Sequence, residues 1–129
     1  MGKRILVVDD DVNIRTALKL RLEREALEVT TAADGEDGLR QALAEPPDLV
    51  ILDLLLPRRD GLEVLACLKN NASTAGIPII VLTACHRTSN DDQALLSASA
   101  EVIAKPFSPR NVAQRVRDLL DAFDSGPSR

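Results

Sequence analysis

Three aspartates in a row, Asp9, Asp10 and Asp11, follow the apolar run RILVV (Arg4 to Val8), and a single aspartate, Asp53, ends the run LVIL (Leu49 to Leu52). Thr83 ends IPIIVL (Ile77 to Leu82), and Lys105, followed by Pro106, ends VIA (Val102 to Ala104). If those runs are strands whose ends meet, carboxylates, a hydroxyl and an ammonium converge. Crowded carboxylates repel unless a cation compensates. Hard Mg²⁺ takes oxygen ligands and keeps several waters, so it suits a site with few carboxylates. A carboxylate beside a metal can attack phosphorus and form an acyl phosphate. Phosphoryl transfer asks mainly for alignment and charge neutralisation. Mg²⁺ would bridge, Lys105 would pair charge and Thr83 would hydrogen-bond. Asp53, standing alone, is the candidate nucleophile, and Asp9 and Asp10 are the candidate metal-binding pair.

The elements that must position these residues are readable from patterning. The four runs above and Leu27 to Ala32 give five short strands. Most are rich in β-branched residues without polar alternation, as in strands covered on both faces, and only the second reads as an edge. Helical spacing appears between them: Ile14, Ala17, Leu18 and Leu22; Leu39, Ala42 and Leu43; Leu62, Leu65 and Ala66; and Val112, Val116, Leu119, Leu120 and Phe123. A weaker fourth helix is expected around Asp91 to Ser97. Ser108 followed by Pro109 reads as an N-cap and first helical residue, and Asp11 as a cap of the first helix. Five alternating units with short connections predict an α/β fold, a doubly wound parallel sheet with five helices and right-handed crossovers. In such a sheet the strand C-termini face a crevice that takes ligands. Residues 1–124 read as one domain and 125–129 as a disordered tail.

Composition narrows the function. The chain has 129 residues, 45% apolar and 28% charged, which suffices for one core. Aromatics are only 2%, two Phe with no Trp or Tyr, which disfavours base-stacking nucleic-acid surfaces. The net charge of −4 argues against a phosphate-backbone footprint or an anionic membrane. Residues 26 to 65 hold nine acids against three arginines. Cys67 and Cys85 lack metal-ligand spacing and fit a reducing compartment. No stretch approaches a membrane span or a signal peptide, so a cytoplasmic protein is expected.

The strings ILVVDDD, VILDLLLPRRDGLEVL, IIVLTA and AKPF, in this order and at these separations, resemble the receiver domain of two-component response regulators, over roughly Lys3 to Phe123. The resemblance implies a flavodoxin-like sheet of strand order 2-1-3-4-5. It also implies that Asp53 is the phosphoacceptor and that Asp9 and Asp10 form the acidic pair around Mg²⁺. Asp10 and Asp53 would bind the metal directly, with the Leu55 backbone carbonyl as a third protein ligand. Thr83 would be the switch hydroxyl and Lys105 the phosphate-pairing lysine, with a cis bond to Pro106. Pro57 and Gly61 match the loop after the acceptor strand.

The sequence departs from the family pattern in places. Val102 stands where an aromatic is usual, and a valine has few χ1 states and no ring to bury. Ala98 replaces a common glycine. Leu55 and Cys85 lie where polar side chains in some relatives position a hydrolytic water, which predicts slow self-dephosphorylation. His86 reads as a solvated loop residue and Cys67 as a core residue of the third helix.

The expected function is a stand-alone receiver that takes phosphoryl from a histidine kinase or a histidine phosphotransfer protein and changes a surface read by a downstream protein target. It is expected to have no direct nucleic-acid or membrane contact and to be a monomer or weak dimer. It is not a general enzyme. Two alternatives remain, a phosphorylation-independent interaction module and a haloacid-dehalogenase-like phosphohydrolase. The second wants an acid two residues after the nucleophile, where Leu55 stands.

Overall fold

The computed structural model describes residues 2–56, 60–83 and 99–124, with 123 and 124 described for backbone only. In chain order these form β1 (Arg4–Val8), α1 (Val12–Glu23), β2 (Glu28–Ala32), α2 (Gly35–Ala44), β3 (Leu49–Asp53), α3 (Gly61–Asn70), β4 (Ile79–Thr83), β5 (Glu101–Ala104) and the C-terminal helix α4 (Pro109–Asp124). The strands make one parallel sheet in the order β2-β1-β3-β4-β5, as expected. Four helices lie among the described residues. The helix expected around Asp91 to Ser97 falls outside them, as do Pro57, Cys85, His86, Ala98 and the tail 125–129.

Period-two alternation splits the strands between two cores. Ile5, Val7, Leu49, Ile51, Ile80 and Leu82 pack with Leu18 and Leu22 of α1 and with Val112, Val116 and Leu120 of α4. Leu6, Val8, Val50, Leu52, Ile79 and Val81 pack with Ala42 of α2 and with Val64, Leu65 and Leu68 of α3. The central strands β1, β3 and β4 are almost wholly buried, so their side chains need no polar alternation.

Helix starts account for part of the acidic excess. Asp11 caps α1 by accepting from the Asn13 N–H at 2.8 Å. Asp34 and Asp60, not anticipated as caps, accept from Asp37 and Leu62 N–H groups at 2.8 and 3.1 Å. Pro109 opens α4, and the Ser108 carbonyl accepts the Val112 N–H at 3.0 Å.

Three expectations need correction. β5 is also an edge strand, with Val102 44% exposed, because β4 pairs it on one side only. Leu43 points to solvent. The buried face of α2 is Gly35, Gly38 and Ala42, since a Cβ at Gly38 would fall 2.8 Å from both Val8 methyls and only glycine allows that approach. On α3 the buried stripe is Gly61, Val64, Leu65 and Leu68, while Leu62 and Ala66 sit at its margin. Cys67 is a half-buried free thiol beside that stripe.

Gly61 is more than a turn residue. Its N–H donates to the Leu54 carbonyl at 3.0 Å, and a Cβ there would fall 2.5 Å from Leu54 Cα and against the Asp53 carbonyl. The obstruction is backbone and cannot swing aside. Gly61→Ala is therefore expected to lower the unfolding free energy by about 2–3 kcal/mol, in the range of overpacked sites. Urea denaturation checks this, and a loss under about 0.5 kcal/mol, as at an indifferent surface site, would contradict it.

Candidate functional site

The alternation that builds the cores also builds the site. Asp9 lies two residues beyond Val7, Asp53 two beyond Ile51, and Lys105 two beyond Ile103, all on the α1 and α4 side of the sheet. At the C-terminal edge these side chains meet. The Lys105 ammonium donates to Asp53 Oδ2 at 3.1 Å and lies 3.3 Å from Asp9 Oδ2. Asp9 is fully buried and Asp53 almost so, whereas Asp10 beside them is exposed. Each of the three aspartates offers a carboxylate oxygen within 4.8 Å of the others.

Both buried acids are oriented by backbone. Asp9 Oδ1 accepts the Asp11 N–H at 2.9 Å, and Asp53 Oδ1 accepts the Leu55 N–H at 3.2 Å. Leu55 thus sits against Asp53 through its main chain, with its side chain 64% exposed. Thr83 is the buried last residue of β4, and its carbonyl accepts the Lys105 N–H at 2.8 Å, which anchors the lysine's backbone. The Lys105–Pro106 bond is cis, as expected. An apolar groove of about 490 Å³, lined by Ile14, Ala17, Pro106, Phe107 and their neighbours, opens beside Lys105.

The electrostatics are unbalanced in a telling way. Burial pushes the Asp9 carboxyl above its usual range, and the Asp53 charge adds to this, although the Asp11 N–H and Lys105 oppose it. Burial alone would lower Lys105, but the hydrogen bond and charge of Asp53, with the charge of Asp9, outweigh it and hold the ammonium above its usual range. Three carboxylates against one ammonium leave two formal negative charges. Asp9 Oδ2 is buried without a hydrogen bond, its contact with Lys105 being ionic only. An all-oxygen donor set with a spare buried lone pair and a net charge of this sign fits a small, hard divalent cation.

One side chain went unanticipated. Arg15 of α1 reaches back to donate to the Asp9 carbonyl at 2.8 Å. A bond from a side chain to a main-chain carbonyl leaves no pattern in residue types. The only signal is an unusual one, a cation near a helix N-terminus whose first turn carries no acid.

The family model of the response regulator receiver domain matches residues 5–117. The chain belongs to the response regulator receiver family. The receiver is 42% identical over 120 residues to the alkaline phosphatase synthesis transcriptional regulatory protein PhoP of Bacillus subtilis, covering 93% of this chain and 49% of that protein. It is 40% identical over 120 residues to the transcriptional regulatory protein SrrA of Staphylococcus aureus, covering 93% and 48%. The chain therefore spans about half the length of the curated relatives it matches. Among solved structures it resembles a CheY-like response regulator receiver domain protein of Methanospirillum hungatei, with a TM-score of 0.83, 32% identity and coverage of 94% and 95%. The chemotaxis response regulator CheY4 of Vibrio cholerae gives 0.82, 27%, 92% and 99%. The receiver is thus a two-component signalling domain with a CheY-like fold. Among its described residues no helix is long and apolar enough to cross a membrane.

Proposed function

We propose that this receiver is a cytoplasmic phosphoacceptor: Asp53 takes a phosphoryl group from a phosphohistidine on a histidine kinase or phosphotransfer protein. The observation that carries the reading is the Lys105 ammonium shared between two buried carboxylates, 3.1 Å from Asp53 and 3.3 Å from Asp9, at the sheet's C-terminal edge. Asp10, Asp53 and the Leu55 carbonyl would hold Mg²⁺, with Asp9 supporting the ion from the buried side. When bound, the ion supplies charge neutralisation for the phosphoryl oxygens. An Asp53 carboxylate oxygen forms the new bond to phosphorus as the phosphorus–nitrogen bond to the donor imidazole breaks, and that bonding pair returns to the imidazole nitrogen. Lys105 then pairs with a phosphoryl oxygen, and Thr83 offers its hydroxyl as the switch. No residue for wider catalysis is required.

The output is a changed surface for a downstream protein. PhoP and SrrA are named transcriptional regulators and are about twice as long as the matched segment, so the expectation of no nucleic-acid contact is confined to residues 1–129. Leu55, exposed and apolar beside Asp53, cannot orient a hydrolytic water, so the phosphorylated form should be long-lived. Its decay, followed by phosphate release in Mg²⁺, should be much slower than in rapid chemotaxis-type receivers, and equally fast decay would refute the assignment to Leu55.

Beryllofluoride, a phosphoryl mimic, tests the acceptor role. Fluorine NMR should detect a bound species with Mg²⁺ in the natural chain and none in Asp53→Asn. No binding, or binding indifferent to the substitution, favours the phosphorylation-independent module instead.

A further inference from the structure

Resting on the reading of Asp9, Asp10 and Asp53 as the Mg²⁺ site, we infer that Arg15 is the residue that positions the acidic loop for the ion. The loop Asp9 to Asp11 is held mostly by its own backbone and caps. The Asp9 N–H donates to the Ala32 carbonyl at 3.1 Å, Asp9 Oδ1 accepts from Asp11, and the Asp11 carbonyl accepts the Arg15 N–H at 3.0 Å. The Asp9 carbonyl is the exception. Its hydrogen bond comes from a guanidinium six residues away, which straps α1 to the last residue before Asp10.

Three observations give this strap a purpose. A guanidinium near the start of α1 sits against the positive end of the helix, a place that charge alone does not favour even with Asp11 as its cap. Among the described residues no ion pair engages Arg15, and its guanidinium donates to this one carbonyl. The carbonyl belongs to a fully buried acid with one oxygen left unbonded towards the site. The Asp9–Asp10 peptide is the link between the two acids, and the Arg15 bond fixes the orientation of that peptide against α1.

Charge and position predict opposite signs. If Arg15 acted only as a nearby positive charge, removing it would strengthen cation binding, whereas a positioning residue weakens it when lost. The test measures Mg²⁺ affinity by titration calorimetry, and the Mg²⁺ dependence of phosphoryl uptake from acetyl phosphate, in the natural chain, Arg15→Gln, Arg15→Lys and Asp53→Asn. Circular dichroism monitors the fold. Outer-shell partners of metal ligands are worth about 10–100-fold in affinity, so Arg15→Gln should weaken Mg²⁺ binding about tenfold. The rate at saturating Mg²⁺ should fall by less than about threefold, because the loss lies in assembling the site. Arg15→Lys, which keeps a donor without the rigid fork, should fall between, and it decides the matter if Arg15→Gln fails to fold. Affinity unchanged or increased in both variants overturns the role of Arg15 alone. A natural chain that binds no Mg²⁺, or binds it equally well as Asp53→Asn, overturns the site reading and this role with it.

Discussion

Replacing Lys105 by methionine is expected to slow phosphoryl uptake about a hundredfold, the effect of removing one preorganised charge donor from a transition state. It is also expected to lower the stability of the metal-free protein by about 3 kcal/mol. Lys105 is the positive partner of two buried acids, at 3.1 and 3.3 Å, and its side chain is only 21% exposed. Taking away one member of a buried ion cluster leaves the others uncompensated, which typically costs about 3–5 kcal/mol, and the lower end applies because Asp10 opens the site to water. Folding raises the Lys105 pKa, so its stabilisation is fully present below the ordinary lysine value of 10.5 and is lost as pH rises through the folded value. The difference between the natural chain and Lys105→Met should therefore hold at neutral pH and close only in strong alkali. Urea unfolding at pH 7 reads it. Mg²⁺ should rescue the variant more than the natural chain, since the ion supplies the missing positive charge, and equal rescue would contradict this account.

Asp9→Asn should act in the opposite direction on stability. Folding raises the Asp9 pKa above 3.8, chiefly through burial, so the cost of ionising it grows as pH rises from 3.8 through the folded value and persists above it. An amide removes that cost while keeping an oxygen for the Asp11 N–H. The metal-free variant should gain about 1–2 kcal/mol at pH 7, comparable to relieving one unsatisfied buried group. The gain should shrink as pH falls towards 3.8. The same change should weaken the stabilisation that Mg²⁺ confers. Thermal melts with and without the ion check both signs, and a destabilised metal-free variant would show that the Lys105 contact outweighs burial. On this account the acids are crowded at some expense to the metal-free folded state.

Much of this arrangement was legible because it follows from short-range rules. Buried parallel strands announce themselves as unbroken β-branched runs, and the residue that ends each run is carried to one edge of the sheet. Asp9, Asp53 and Lys105 were found in that way, and contacts of 3.1 and 3.3 Å between them bear out the convergence. Residues identified by size were less reliable. The α2 helix buries Gly35, Gly38 and Ala42, because Val8 presses so close that bulk is excluded at Gly38, so helical spacing of apolar residues points rightly to Ala42 and wrongly to Leu43. On α3 the choice of Leu62 over Val64 shifted the buried face by part of a turn. β5 looked buried from its composition, yet position at the end of the strand order exposes Val102. Arg15 escaped notice because its partner is a main-chain carbonyl, which every residue has.

The exposed Val102 also bears on how the proposed phosphorylation would be read out. With no ring to swing inward, a rotamer change at this edge position cannot bury aromatic surface, so the proposed response would rest on Thr83, whose carbonyl accepts the Lys105 N–H, and on the segment that follows it in sequence.

The most direct test is intact mass after incubation with acetyl phosphate and Mg²⁺, for the natural chain and for Asp53→Asn. The account predicts a gain of one phosphoryl group in the natural chain, abolished by removing Mg²⁺ with a chelator and absent from Asp53→Asn. No gain in the natural chain, or an equal gain in Asp53→Asn, would contradict the assignment of Asp53 as the phosphoacceptor.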